Sequence, residues 1–290
     1  MALAQRWPIE ILVADSRQVY RGMDVGTAKP DAQARAAVPH HLLDLVTPGE
    51  RFSVAEWVAQ ARQLVPEIAA RGHLSLVVGG SGLYLAALLD GYAFGPGPDA
   101  TRREELVAQL AGGGVEPLAE RLGEVDPIAA QRIDRRNPRR VIRALERSAS
   151  AGGGAAPEPA STPWPGRLAL LGVSRPREVL NRRIDERARW LFDHGLVDEV
   201  RTLLNAGHDP RRPPLTGHGY GEAAGYLAGE WSLEEAIAVT ARRTRQFAKR
   251  QRTWFARDRR IVWLAAGEAP GNDTALVDEA DRVLRTALLP

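Results

Sequence analysis

A carboxylate, hydroxyls, an amide and a guanidinium stand together in Asp15-Ser16-Arg17-Gln18-Val19-Tyr20, directly after the apolar run 9–14. In open α/β sheets, ligands sit just beyond the carboxyl ends of the strands, so this hexapeptide lies where chemistry is done. Asp15 has the character of a general base or of a magnesium-associated carboxylate. The same residue type also caps helices and shapes turns, and the residue alone does not separate these uses. Lys29, in Gly26-Thr27-Ala28-Lys29-Pro30, adds a cation to the group. A second candidate is Gly79-Gly80-Ser81-Gly82, between an apolar run and a helical pattern. Its glycines let backbone approach a ligand closely, and amides opening a helix attract an anion. It is neither Gly-x-Gly-x-x-Gly nor Gly-x-x-x-x-Gly-Lys-Ser/Thr, and a tight strand-to-helix turn asks for the same glycines.

Three stretches concentrate positive charge. In 134–143, Arg139 and Arg143 lie one helical turn apart with Arg140 beside them, while Val141, Ile142, Ala144 and Leu145 can pack. Phosphate-backbone contact and a solvated basic face both fit this pattern. In 180–187, Arg183 and Arg187 are one turn apart, with Asp185 and Glu186 near enough for ordinary helix ion pairs. The densest run, 242–255, puts Phe247, Gln251, Trp254 and Phe255 on one face, expected to anchor the helix. Arg242, Arg245, Lys249 and Arg252 recur on another face, and almost no acid offsets them before Asp258. Contact with nucleic acid or polyphosphate is the stronger reading there. The 6 histidines fall in no metal spacing, and His40 and His41 would point to opposite faces of a strand.

Elements to position these groups are legible in the hydrophobic pattern. Strands are expected at 9–14, 40–46, 74–78, 168–173 and 261–264. Ser53 with Glu56 three residues on forms a capping box that opens a helix over 54–71, and another helix follows at 83–89. Strands alternating with helices argue for an α/β fold with a parallel sheet covered on both faces. Beyond a Gly/Pro-rich break at 91–98, residues 100–149 read as helical, in segments 102–110, 116–122, 127–133 and 139–147. That is the pattern of an insertion: an α/β core formed by 1–98 and 151–290, and a helical domain at 99–150. Residues 148–166 are small and Gly/Ala/Pro-rich, a loop by composition. The rest is mostly helical, ending in a helix at 278–288.

Composition sets outer limits. A chain of 290 residues with 44% hydrophobic and 26% charged residues can bury a sizeable core. A formal net charge of +3 says little about a polyanionic partner. Lys29 and Lys249 are the only lysines, so nearly all the positive charge is guanidinium, suited to bidentate phosphate contacts and to stacking. A GC-rich genome supplies the same bias by default. The absence of cysteine excludes disulfides, thiolate zinc sites and cysteine nucleophiles. No run approaches the ~20 apolar residues of a membrane span, and no basic-then-apolar leader opens the chain. A cytoplasmic protein without a membrane partner is expected.

Taken in order, the segments resemble the tRNA dimethylallyltransferases, also called tRNA isopentenyltransferases. The resemblance rests on Asp15–Tyr20, Gly22-Met23-Asp24-Val25-Gly26-Thr27-Ala28-Lys29-Pro30, His40-His41-Leu42-Leu43-Asp44 and Val78-Gly79-Gly80-Ser81-Gly82-Leu83-Tyr84. It continues through Asn137-Pro138-Arg139-Arg140, Ala144-Leu145-Glu146, Gly219-Tyr220-Gly221-Glu222 and Ala248-Lys249-Arg250-Gln251-Arg252-Thr253-Trp254-Phe255. It implies a P-loop-NTPase-like parallel sheet flanked by helices and carrying a helical insertion domain. The implied reaction moves a dimethylallyl group from dimethylallyl diphosphate to the N6 of an adenosine beside the tRNA anticodon, with Mg2+. Carried over by position, Asp15 is the general base, and Ser16, Arg17 and Gln18 line the pocket that reads a flipped-out base. Ser81, Arg103, Arg139, Arg140 and Arg143 match positions of tRNA contact. Lys249 and Arg252 belong to a helix that supports the tRNA-facing groove, and Arg183, with Arg187, helps hold the diphosphate. The resemblance implies a monomer that binds the anticodon stem-loop.

One departure accompanies it. The family opens with a strand and a Gly-x-x-x-x-Gly-Lys-Ser/Thr loop that cradles the diphosphate and supplies a magnesium ligand. These 290 residues contain no such loop, and Met1–Arg6 read like the end of the helix that follows it. The expectation for this chain is therefore no metal ligand of its own, an unpaired sheet edge with exposed apolar surface, and little or no transfer activity. Two alternatives stay in view: an adenylate isopentenyltransferase acting on a free nucleotide, and a non-catalytic tRNA-binding remnant. The arginine-rich 242–252 helix and the helical insertion favour tRNA, since a mononucleotide needs neither.

Overall fold

The computed structural model describes residues 1–92, 94, 99–150, 162–267 and 274–289. The chain divides into two compact units, Met1–Leu89 with Trp164–Pro290, and Asp90–Pro163. The first unit opens with a 3-10 turn at Ala2–Gln5, then β1 (Ile9–Val13), α1 (Ala32–Ala37), β2 (His40–His41), α2 (Val54–Ala70), β3 (Leu74–Val78) and α3 (Gly82–Leu89). The second unit contributes α4 (Ala100–Gly113), α5 (Glu116–Val125), α6 (Pro127–Arg132) and α7 (Pro138–Ser150). The first unit resumes with β4 (Leu170–Ser174), α8 (Arg177–Asp193), α9 (Leu196–Asn205), α10 (Tyr220–Leu227), α11 (Leu233–Phe255), β5 (Ile261–Ala265) and α12 (Thr274–Leu288).

All strand pairs are parallel, in the order β2-β1-β3 and, as a separate ladder, β4-β5. β1 is buried at all five positions, as a strand covered on both faces must be. Its register with β3 runs from Ile9 opposite Leu74 to Val13 opposite Val78, so the two strands end together. The capping box forms as its spacing demands: Ser53 Oγ accepts from Glu56 N at 3.2 Å, and Glu56 returns a carboxylate to Ser53 N at 2.8 Å. The helix it starts buries Trp57, whose indole N–H donates to Val13 O at 2.9 Å and pins α2 to the end of β1. Other apolar strand residues stay in solvent, with Val78 47% and Val173 58% exposed. None of the described helices is long and apolar enough to cross a membrane.

The expected strand over 40–46 shrinks to two residues. Leu42 (φ 66°) and Asp44 (φ 54°) adopt left-handed backbone, which ends the extended run, and only an isolated bridge from Tyr20 to Val46 continues it. The glycine-rich segment 148–166 falls differently too. Its first three residues extend α7, 162–166 lack regular structure, and 151–161 lie outside the described residues. In the second unit, Leu106, Leu118, Leu122, Val141, Ile142 and Leu145 from α4, α5 and α7 form the core. The amphipathic spacing of these helices directs them inward.

One carboxylate is buried within the sheet and is met by cations from its margin. Glu10, on β1 and only 3% exposed, accepts from Arg71 through both oxygens at 2.8 and 2.7 Å. His41 and His73 complete its shell at 2.7 and 2.8 Å. The Arg71 guanidinium is the largest influence on the carboxyl; together with the two histidines it outweighs burial and holds Glu10 well below the usual carboxylate range. A depressed carboxyl stabilises the fold above its unfolded pKa and loses that contribution as pH falls through the folded one. Glu10→Gln is therefore expected to cost about 2 kcal/mol at neutral pH, with the gap to the parent closing as pH drops below about 4. Urea unfolding at the two pH values measures this; an equal loss at both contradicts it.

Candidate active site

The carboxyl ends of β1 and β3 bring Asp15 and Ser81 into one surface. Ala14 N donates to Val78 O at 2.7 Å, and Ser81 N turns back to Ala14 O at 3.3 Å. Ser16 N donates to Ser81 Oγ at 3.1 Å, and Asp15 Oδ1 accepts from Arg17 N at 2.8 Å. The carboxylate is thus held in a tight turn with its second oxygen free of that bond. Arg17 reaches across to Pro214 O at 2.9 Å, and Gln18 Nε2 holds Thr27 O at 3.0 Å. Beneath them, Tyr84 packs on Trp57 with ring centroids 5.0 Å apart, and burial pushes its hydroxyl pKa up.

The glycines of 79–82 are occupied by the protein's own atoms. A Cβ on Gly79 would lie 2.0 Å from Ala14 O, one on Gly80 2.1 Å from Gln251 Nε2, and one on Gly82 2.4 Å from the Trp254 ring. Gln251 Nε2 also donates to Gly80 O at 3.0 Å. The segment is a docking seat for α11 as well as a strand-to-helix turn.

Lys29 does not join the open site. Its side chain is 1% exposed, and its ammonium donates to Tyr20 O, Asp24 (2.7 Å) and Asp44 (2.5 Å). Three donors meet three acceptors, so Lys29 is a staple for the 20–44 loop. Burial pushes Asp44 up, but Lys29 and Arg35 hold its pKa below the ordinary value. The neighbouring turn is secured from a distance. Glu199 accepts from Asp24 N, Val25 N and Gly26 N at 2.7, 2.7 and 3.1 Å, and from Tyr220 Oη at 2.5 Å. Tyr220 lies flat against Gly26, where any Cβ would meet its ring at 2.4 Å. Two motifs nearly two hundred residues apart are one packing unit.

The α11 expectation needs correction in two respects. Of the residues expected to anchor the helix, Gln251 and Trp254 do so, on Gly80 and Gly82, while Phe247 is 39% exposed; the fully buried residues are Ala236, Ile237, Thr240 and Ala241 in its first half. The second half thus docks through Gln251 and Trp254 and leaves Phe247 and part of the Trp254 ring in solvent. The apparent lack of acids is also a sequence-local impression. Arg245 pairs with Asp185 of α8, and Arg243 with the fully buried Glu222, which also accepts from Gly219 N at 2.7 Å. Lys249 and Arg252 stay exposed, and no ion pair holds either among the described residues.

On α8, which packs against α11, Arg183 is half-buried and its Nη1 is buried without a hydrogen-bond partner among the described residues. An orphaned guanidinium nitrogen suits an incoming anion. Arg187 lies on the exposed surface, yet enough protein crowds it to lower its pKa.

The second unit holds Arg103, Arg139, Arg140 and Arg143. Glu146, on the buried face of α7, takes Arg103 at 2.7 Å and Arg143 at 3.3 Å. Asn137 Oδ1 caps α7 through Arg139 N and Arg140 N at 3.1 and 3.3 Å, leaving both side chains exposed. Arg132, Arg139, Arg140, Arg143 and Arg147 border one cleft of about 860 Å³. The hold of Glu146 on Arg103 and that of Glu199 on the 24–26 turn are absent from the sequence reading, because each acts across a long sequence gap.

Comparison with known proteins follows the same map. Residues 18–258 match the family model described as IPP transferase. The tRNA dimethylallyltransferase of Anaeromyxobacter dehalogenans is 47% identical over 272 residues, covering 91% of this chain and 89% of that protein. That of Heliobacterium modesticaldum is 43% identical over 275 residues, covering 92% and 84%. The crystal structure of the full-length tRNA isopentenylpyrophosphate transferase from Bacillus halodurans superposes with a TM-score of 0.71 at 37% identity, covering 98% of this chain and 90% of that one. With the matched span running from Gln18, in the Asp15 turn, to Asp258 beyond α11, the chain belongs to the tRNA dimethylallyltransferase family.

Proposed function

We propose that this chain prenylates tRNA, carrying a dimethylallyl group from dimethylallyl diphosphate to N6 of the adenosine beside the anticodon. The observation that carries the reading is the Asp15 carboxylate, set at the end of a buried parallel strand and oriented by Arg17 N. As N6 attacks the allylic carbon, the new N–C bond forms and the C–O bond to diphosphate breaks with its electron pair leaving on oxygen. Asp15 takes the N6 proton. Arg183, with its unpartnered Nη1, and Arg187 receive the charge on the leaving diphosphate. Ser16, Arg17, Gln18 and Ser81 border the base; Arg103, Arg139, Arg140, Arg143, Lys249 and Arg252 meet the RNA backbone.

Magnesium enters this proposal with the diphosphate, whose oxygens are its natural ligands. Among the described residues, no three acidic or imidazole side chains are placed to ligate a metal ion. A cytoplasmic monomer is the proposed working form.

A free adenine nucleotide as acceptor would leave the arginine-bordered cleft of the second unit without a use. Binding of an anticodon stem-loop over a salt series separates the two. Joint Arg139→Ala and Arg140→Ala substitution is expected to lower the slope of log affinity against log salt by about two. An unchanged slope contradicts the assignment of this cleft to tRNA.

A further inference from the structure

Glu199 stands on α9 with its carboxylate in a nest of three successive backbone amides, Asp24 N, Val25 N and Gly26 N, at 2.7, 2.7 and 3.1 Å. Such a nest is an anion site, and here the anion is the protein's own. Tyr220 Oη adds a fourth donor at 2.5 Å; burial, then the Glu199 charge, pushes its pKa up, so it stays protonated at ordinary pH. The turn held in this way does not keep its shape for free. Ala28 follows it at φ 54°, a conformation that costs a residue with a Cβ about 1 kcal/mol. What the turn carries is Thr27 O, the acceptor for Gln18 Nε2 at 3.0 Å. A carbonyl oxygen only accepts, so the NH2 end of the Gln18 amide must face it. Gln18 Oε1 is thereby turned away from Thr27, and no donor meets it among the described residues. A free amide oxygen accepts from the amino group of adenine and repels the oxo group that replaces it in hypoxanthine or guanine.

The geometry points to Glu199 as a positioning residue for base choice: by filling the 24–26 nest it fixes Thr27 O, and Thr27 O sets the Gln18 amide with its oxygen toward an amino-bearing base. This rests on the reading proposed above, in which Gln18 borders the adenine of tRNA. Glu199 acts through Gln18, so its loss is expected to change the ratio between two bases and to spare the contacts made to the RNA backbone.

The experiment is anisotropy of labelled anticodon stem-loops with the full-length protein, carrying adenosine, inosine or an abasic residue beside the anticodon. The parent is expected to bind the adenosine form about tenfold more tightly than the inosine form. Glu199→Ala is expected to bring this ratio within about twofold while affinity for the abasic form is kept. If the alanine variant does not fold, Glu199→Gln is read in its place with the same expectation, since it keeps the side-chain volume and loses the charge and one acceptor oxygen. In a Gln18→Ala background the Glu199 substitution is expected to leave the ratio unchanged, because the group it orients is gone. A parent-like ratio in the Glu199 variant overturns the assignment. So does an equal loss on all three stem-loops, or a further change of ratio in the Gln18→Ala background. A parent that binds the adenosine and inosine forms alike overturns Gln18 as the reader of the base, and one that binds no stem-loop overturns the tRNA reading; either result takes this assignment with it.

Discussion

Asp15→Asn is expected to lower dimethylallyl transfer about 10³-fold while leaving the dissociation constant for the anticodon stem-loop within about twofold. The asparagine keeps an oxygen for Arg17 N, so the turn after β1 retains the 2.8 Å bond that shapes it. What it loses is the basicity needed to take a proton from the adenine amine. Asp15→Ala removes both, and is expected to be no faster. The measurement uses the full-length protein, with single-turnover transfer and RNA binding read separately. An asparagine variant as fast as its parent removes Asp15 from the chemistry; one that loses RNA binding in proportion makes it a binding residue.

The largest effect on stability is expected from Gly79→Ala. Its new methyl would sit 2.0 Å from Ala14 O, a backbone atom fixed by the β1–β3 ladder and by Ser81 N. A flexible side chain could swing aside, but this carbonyl cannot without breaking the register of two strands. A loss of at least about 3 kcal/mol follows. Gly72→Ala is the internal control: φ is +76° there, but nothing lies within 4 Å, so about 1 kcal/mol is expected from the backbone alone. Urea unfolding of both variants reads the difference. Similar costs at the two positions would mean that the turn at 79–82 is free to relax.

The parts legible in the sequence were those governed by local rules. The Ser53–Glu56 box, the β-branched runs of β1 and β3, and the 3.6-residue periodicity of α4 to α7 all act within a few residues. What the sequence hid was set by distant partners. Lys29 looked available until Asp24, Asp44 and Tyr20 O closed on it. The arginines of α11 looked unopposed, yet Asp185 and Glu222 reach Arg245 and Arg243 from other helices. Phe247 and Trp254 share a face, as periodicity indicated, but only Trp254 finds a seat, on Gly82, and what packs on a face is something periodicity does not report. Gly79, Gly80 and Gly82 were recognised as sites of close approach; the approaching groups are Ala14 O, Gln251 and Trp254.

The candidate site divides along the same line. Asp15, Ser16, Arg17, Gln18 and Ser81 are adjacent because two parallel strands end in register. Arg183, singled out in the sequence by its spacing and by the resemblance, is set apart from its neighbours in the structure, where one of its nitrogens is buried without a partner.

Transfer to the adenine amine is tested most directly by incubating an anticodon stem-loop with dimethylallyl diphosphate and the full-length protein, then digesting the RNA and weighing its nucleosides. Adenosine carrying one dimethylallyl group on N6, at the position beside the anticodon, is the expected result. Unmodified stem-loop alongside a prenylated free adenine nucleotide would contradict it.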